Sequence, residues 1–142
     1  MNPEITQFVQ TNIWLILIAV ASGAMLVWPA VSRLLQGGEE VGTFEATQLI
    51  NRRDAIVLDV REPAEYAAGH LPHARHIPLG QLASRIKELD KFKERPIVIT
   101  CASGNRSGSA LGVLKKNGFK EVVNLKGGIA AWQQASLPLE KK

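Results

Sequence analysis

Twenty consecutive uncharged residues, Ile13 to Ser32, constrain this chain before any other feature does. As a helix rising about 1.5 Å per residue, the run extends roughly 30 Å, the thickness of a bilayer's hydrocarbon core. It reads as one N-terminal transmembrane helix over residues 13–35, with residues 1–12 as a short tail before it. Trp14 and Trp28 lie near its two ends, where indole rings favour the headgroup boundary, and Arg33 closes it. A cleaved signal peptide fits less well, because residues 1–12 contain no Lys or Arg and the apolar run exceeds the usual hydrophobic region of such a peptide. A core helix of a soluble domain fits worst, since a domain of about 100 residues would have to cover it on every side.

Charge divides the chain at nearly the same place. Residues 1–40 set Arg33 against Glu4, Glu39 and Glu40, so the whole-chain charge of +4 leaves +6 on residues 41–142. The basic side chains of that part are scattered and not interleaved with aromatics, which argues against a nucleic-acid surface. They suit a solvated surface that tolerates anionic substrates. Glu4 is the only charge before the apolar run, whereas Arg33, Arg52 and Arg53 follow within about 20 residues of its end. This bias predicts a single-pass protein of the cell membrane with its globular part in the cytoplasm. The single cysteine excludes an internal disulfide framework and suits a reducing compartment. Residues 36–42, with three glycines, read as a flexible linker.

Beyond the linker, helical and extended patterns alternate. Thr43 is placed to cap a helix whose apolar face is Ala46, Leu49 and Ile50. Residues 55–60 form an apolar strand, 63–68 a short helix with proline in its first turn, and 74–77 a brief strand. Leu79, Leu82, Ile86 and Leu89 mark one face of an amphipathic helix. Strands at 97–100 and 121–125 and helices over 106–116 and near 129–135 complete the pattern. Strands that are apolar on both faces and separated by helices predict an α/β domain whose mostly parallel sheet is covered on both sides. Ligands of such sheets bind outside the carboxyl ends of the strands. Asp59-Val60-Arg61 and Cys101 both fall there.

Cys101 follows the apolar run Pro96 to Thr100 and opens the segment Cys101-Ala102-Ser103-Gly104-Asn105-Arg106-Ser107. A thiol at a strand-to-helix turn meets unpaired backbone N–H groups and the positive end of a helix, and both favour the thiolate. The plainer alternative, a small buried hydrophobe, suits an unpaired cysteine in general but not this loop context. Arg106 adds a cation that either grips an anionic substrate or clamps the loop. The carboxylate of Asp59, at the end of a buried strand, suits backbone bonding better than catalysis, and Asp59 and Arg61 are assigned to structural support of the site. Glu65 either pairs with an arginine of the site or solvates its short helix. His70, His73 and His76 recur at intervals of three, but Pro72 interrupts the segment, so no metal site is expected.

Four motifs in register resemble the rhodanese domain: Leu58-Asp59-Val60-Arg61-Glu62-Pro63 with Glu65-Tyr66; Gly69-His70-Leu71-Pro72-His73-Ala74 ending in Ile77-Pro78; the Cys101 loop; and Lys126-Gly127-Gly128 with Trp132. The resemblance covers about residues 41–139, with the domain itself bounded at 43–139. The complete chain looks like a bacterial single-domain rhodanese carried on a membrane anchor. His73 stands where the family usually has glycine. The resemblance implies a three-layer rhodanese-like fold and a sulfurtransferase that works through a persulfide on Cys101. It implies a small anionic sulfur donor such as thiosulfate, a thiol or protein acceptor, and no cofactor or metal. Residues 102–107 (Ala102, Ser103, Gly104, Asn105, Arg106 and Ser107) would hold the transferred sulfur's charge with preorganised donors.

A cysteine phosphatase is the nearest rival, because its loop also runs from Cys to Arg on a strand-to-helix turn. Loops of that type have one more residue between the two. The four residues from Ala102 to Asn105 enclose a smaller bowl, better suited to one sulfur than to a phosphoryl group. The second alternative, from a different class, is a membrane-tethered interaction or sulfur-sensing module without turnover. The small side chains of Ala102 and Ser103 predict an open entrance.

Overall fold

The computed structural model describes residues 2–36 and 39–141, and the chain divides into two compact units, Met1–Leu35 and Gln36–Lys142. The first unit is helical. Helix α1, Pro3–Thr11, starts with proline in its first turn and Glu4 beside its positive end, and Asn12 closes it by donating its backbone N–H to the Phe8 carbonyl at 3.0 Å. Helix α2 covers Ile13–Gln36. Its stretch Ile13–Val31 is long and apolar enough to cross a membrane, and most of its large side chains, Met25 and Leu26 among them, are exposed.

The second unit is built on a five-stranded sheet in the order β1-β5-β4-β2-β3, every pair parallel. Its elements are β1 (Glu40–Val41), α3 (Thr43–Arg53), β2 (Ile56–Asp59), α4 (Pro63–Ala68), β3 (Arg75–His76), α5 (Leu79–Arg85), a 3₁₀ segment (Ile86–Phe92), β4 (Ile97–Thr100), α6 (Asn105–Lys116), β5 (Val122–Leu125) and α7 (Gly128–Gln134). Register explains why the strands are apolar on both sides. Val57, Val98 and Val123 lie abreast and join a cluster with Ala46, Leu125, Ile129 and Trp132, under α3 and α7. Leu58, Ile97, Ile99 and Val122 enter the opposite cluster with Leu82, Leu89, Phe92, Leu111 and Leu114, under α5 and α6. Three layers result, and apolar area leaves water on both faces of the sheet.

Three local expectations change. Thr43 is the first residue of α3, and the capping position belongs to Gly42, which has no side chain to contribute. Within the stretch read as linker, Glu40 and Val41 pair with Asn124 and Leu125, so β1 exists through tertiary pairing and not through its own propensity. The amphipathic helix after Leu79 tightens into 3₁₀ at Ile86. Ile86, Leu89 and Phe92 are spaced by three, which keeps one face inward at three residues per turn.

The structure also accounts for the family's glycine at position 73. His73 has φ +57°, a left-handed conformation that glycine adopts freely and an L-residue enters at a cost of roughly 1–2 kcal/mol. Its backbone N–H donates to a carboxylate oxygen of Glu140 at 3.2 Å, and His70 and Glu140 exchange backbone hydrogen bonds on either side. The C-terminal segment thus braces the turn.

Candidate active site

Residues Asp59 and Thr100 sit side by side at the carboxyl ends of β2 and β4, so the segments that follow them share one rim of the sheet. After Asp59 the chain turns through Val60 and Arg61, and the Arg61 guanidinium folds back on the carboxylate. Nη2 donates to Oδ2 at 2.7 Å, Nε to both carboxylate oxygens at 3.0 and 3.1 Å, and Nη2 also to the Gly69 carbonyl at 2.7 Å. Both residues are buried. A buried ion pair persists when its remaining donors and acceptors are satisfied, as they are here. The pair ties β2 to the turn after α4 and presents no free charge to a ligand.

From Thr100 the chain enters the cysteine loop. Gly104 takes φ +95° at the N-cap of α6, and its N–H donates to Cys101 Sγ at 2.9 Å. Ser107 Oγ lies 3.4 Å from the same sulfur. Burial alone pushes the Cys101 thiol up, but hydrogen bonds from the Ser107 hydroxyl and the backbone amides of Ser107, Ser103 and Gly104 outweigh it and hold the thiol below its ordinary value. The open entrance expected from Ala102 and Ser103 does not extend to the sulfur. Cys101 is 1 % exposed and belongs to the apolar cluster beneath α6, with the loop folded over it.

Two groups behind the loop were not singled out as site residues by the sequence. Asn124, buried in β5, accepts a short hydrogen bond from Ser107 Oγ at Oδ1 and donates through Nδ2 to the Gly104 carbonyl at 3.2 Å and to Glu40 Oε1 at 3.4 Å. The single Ser107 proton is therefore within reach of Asn124, the Gly104 carbonyl (3.0 Å) and the sulfur, and it can turn to the sulfur when charge develops there. A lone polar residue in an apolar strand was the available signal. Gly128 is the second. With φ +58° it lets the first turn of α7 press on the loop, where Ile129 N–H donates to the Cys101 carbonyl at 2.8 Å and Ala130 N–H to that of Ala102 at 3.4 Å. The signal here was the Gly127-Gly128 pair just before a helix.

Arg106, in the first turn of α6, is held end-on by Glu65. Nη1 donates to Oε2 at 2.8 Å and Nη2 to Oε1 at 2.7 Å. The Arg106 hydrogen bonds hold the Glu65 carboxyl down to about 2, against the opposing effect of burial and with help from the Glu62 backbone N–H. That N–H, at 2.9 Å, belongs to a capping box in which the Glu62 side chain also receives the backbone of Glu65. Tyr66, next in sequence, is stacked between the rings of His70 and His76 at centroid distances of 3.8 and 4.3 Å. His76 Nε2 reaches the Arg61 carbonyl at 2.7 Å. His70 and His76 thus brace α4 and its flanks, and among the described residues no cluster of metal-ligating side chains forms. Nothing is described for the Asn105 side chain; its backbone begins α6.

Replacing Ser107 by alanine is expected to raise the Cys101 thiol, because a donor to the charged form is lost while burial stays. The alkylation rate with iodoacetamide, followed against pH, should keep its shape but move its midpoint upward. An unchanged midpoint would mean that the loop amides alone set the acidity.

Fold and loop together define an α/β domain with one buried, acidified cysteine at a strand-to-helix turn and a paired arginine in the first turn of the helix that follows. Residues 44–135 match the rhodanese-like domain model, and the chain belongs to the rhodanese-like sulfurtransferase family. It is similar to a sulfurtransferase of Allochromatium vinosum, with 39 % identity over 92 residues that cover 65 % of this chain and 84 % of that one. It is similar over nearly its whole length to the uncharacterized protein YibN of Escherichia coli, with 31 % identity over 137 residues and 96 % of both chains covered. A rhodanese-related protein of Thermoplasma volcanium superposes with a TM-score of 0.64 at 30 % identity, covering 74 % of this chain and 100 % of that one.

Proposed function

We propose that this chain is a membrane-tethered sulfurtransferase that carries sulfane sulfur as a persulfide on Cys101. The observation that carries the reading is the sulfur's setting: Sγ lies 2.9 Å from the Gly104 N–H, with Ser107 beside it and donors aimed where charge collects. With thiosulfate, the Cys101 thiolate attacks the outer sulfur, the S–S bond breaks, and sulfite leaves with the bonding pair. A thiolate or other thiophilic acceptor then attacks the outer sulfur of the persulfide, and Cys101 leaves again as thiolate. The loop residues 102–107 hold the charge of the persulfide, while Asp59 and Arg61 keep the rim in place. The burial of Cys101 requires the donor's terminal sulfur to enter the loop.

The division into a tail (1–12), an anchor (13–35) and a domain that ends at 139 belongs to the same proposal, with β1 counted to the domain and not to the linker read over 36–42, a lipid bilayer around the anchor and the domain in the cytoplasm. Reduced thiol acceptors are available in that compartment, and the arginines after the span favour it. The test is formation of thiocyanate from a sulfane donor and cyanide by the full chain in detergent. No turnover with any sulfane donor would leave the tethered binding or sensing module as the better reading. Orientation is tested with protease on intact spheroplasts: protection of the domain is expected, and digestion from outside would reverse the assignment.

A further inference from the structure

We propose that Glu65 is a specificity-determining residue, one that withholds Arg106 from doubly charged donors and turns the site toward persulfide donors of low charge. The inference rests on the sulfur-transfer reading and names the donor class of that site. Arg106 is the loop's own cation, and both of its terminal nitrogens are bound to one carboxylate at 2.7 and 2.8 Å. Arg61, the other arginine on this rim, is likewise paired with Asp59. An approaching anion therefore meets at Arg106 a guanidinium whose charge is already balanced by a carboxylate, while the Arg61 pair is buried. Glu65 is not a chance surface partner. Its carboxylate is fixed by the Glu62 N–H at 2.9 Å, and the ring stack on Tyr66 fixes the helix that bears it. Charge near the thiol agrees, since Cys101 and Glu62 both act on Arg106 as neighbouring negative groups.

The two donor classes place different demands on this balance. Thiosulfate brings two negative charges, and its transfer leaves a persulfide anion on Cys101 and sulfite dianion as leaving group. A persulfide R–S–SH brings none in its protonated form. The Cys101 thiolate attacks its outer sulfur, the S–S bond breaks, RS⁻ leaves with the pair, and Cys101 retains the sulfur with its proton as Cys–S–SH. A rim of neutralised arginines disfavours the first donor and is indifferent to the second.

The test compares wild type with Glu65→Gln as full-length protein in detergent, using thiosulfate and the persulfide of 2-mercaptoethanol and reading the rate of sulfur loading on Cys101 by mass. Glutamine keeps an acceptor for Arg106 and removes the charge. The thiosulfate-to-persulfide rate ratio is expected to rise about tenfold, with a steeper decline in added salt. A merely structural role would slow both donors together, and an unchanged or lower ratio overturns the proposal. Should the variant fail to fold, the wild type decides: its thiosulfate rate is expected to vary little with salt, and a steep fall would reveal an unbalanced cation. Failure of the wild type to load from either donor would instead strike the sulfur-transfer reading. Thiosulfate affinity of Cys101→Ser with and without Glu65→Gln, followed by NMR at the Gly104 amide, then still decides the role of Glu65: about tenfold tighter binding supports it, and equal binding overturns it.

Discussion

Gly128→Ala is expected to cost about 3 kcal/mol or more of stability and to displace the cysteine loop. Two physical terms act at once. The backbone there has φ +58°, which an alanine adopts only at a penalty of roughly 1–2 kcal/mol. A Cβ at Gly128 would also stand 2.2 Å from the Cys101 carbonyl oxygen and 2.9 Å from the Ala102 carbonyl carbon. Neither contact is the far end of a flexible side chain, so backbone must move. The part that moves is either α7, whose Ile129 N–H holds the Cys101 carbonyl, or the loop itself. The melting temperature should fall by roughly 10 °C or more for a domain of this size, together with sulfur loading on Cys101. Gly108→Ala and Gly112→Ala serve as controls, because nothing lies within 4 Å of a Cβ at either helical position. Those two should hold or gain stability. A Gly128→Ala protein that melts with the wild type and still loads sulfur would mean that α7 does not pin the loop.

Cys101→Ala is expected to abolish sulfur transfer while the domain stays folded. The loop amides and Ser107 would remain, but no other cysteine exists to carry the sulfur covalently. The structural cost should be small, about 1 kcal/mol, because a single sulfur is removed from an apolar cluster that includes Val60, Ile99 and Leu111. Thiocyanate formation and the circular dichroism spectrum of the full chain separate the two effects. Persisting transfer by a folded Cys101→Ala protein would remove Cys101 from the role of nucleophile.

Much of the fold was legible because its cues are local. The mostly apolar runs at 56–59, 97–100 and 122–125 announce strands buried on both faces, and the cysteine loop announces itself by the strand that stops at a thiol. The hidden parts depend on contacts distant in sequence. Glu40 and Val41 are a strand only because Asn124 and Leu125 lie beside them. Glu65 and Arg106 are 41 residues apart, and either could have been a solvated charge. Glu65 nonetheless carried a local sign of its placement, the Glu62-to-Glu65 spacing of a capping box before a short helix. Asn124 looked like an interruption of an apolar strand, and its purpose becomes visible only with Ser107 across from it. The resemblance flagged Gly127-Gly128 as a motif, whereas its physical need, a backbone packed against the Cys101 carbonyl, is a tertiary fact.

The central claim, that Cys101 is a sulfur carrier, is tested most directly by the intact mass of the full-length protein after exposure to a sulfane donor, and again after cyanide. Both thiosulfate and a small persulfide should be offered, since the rim charge disfavours the first. The expected result is a gain of one sulfur that maps to Cys101, disappears with cyanide and is absent from Cys101→Ala. A mass that never changes with either donor would contradict the account and leave a tethered module that keeps the loop without using its thiol.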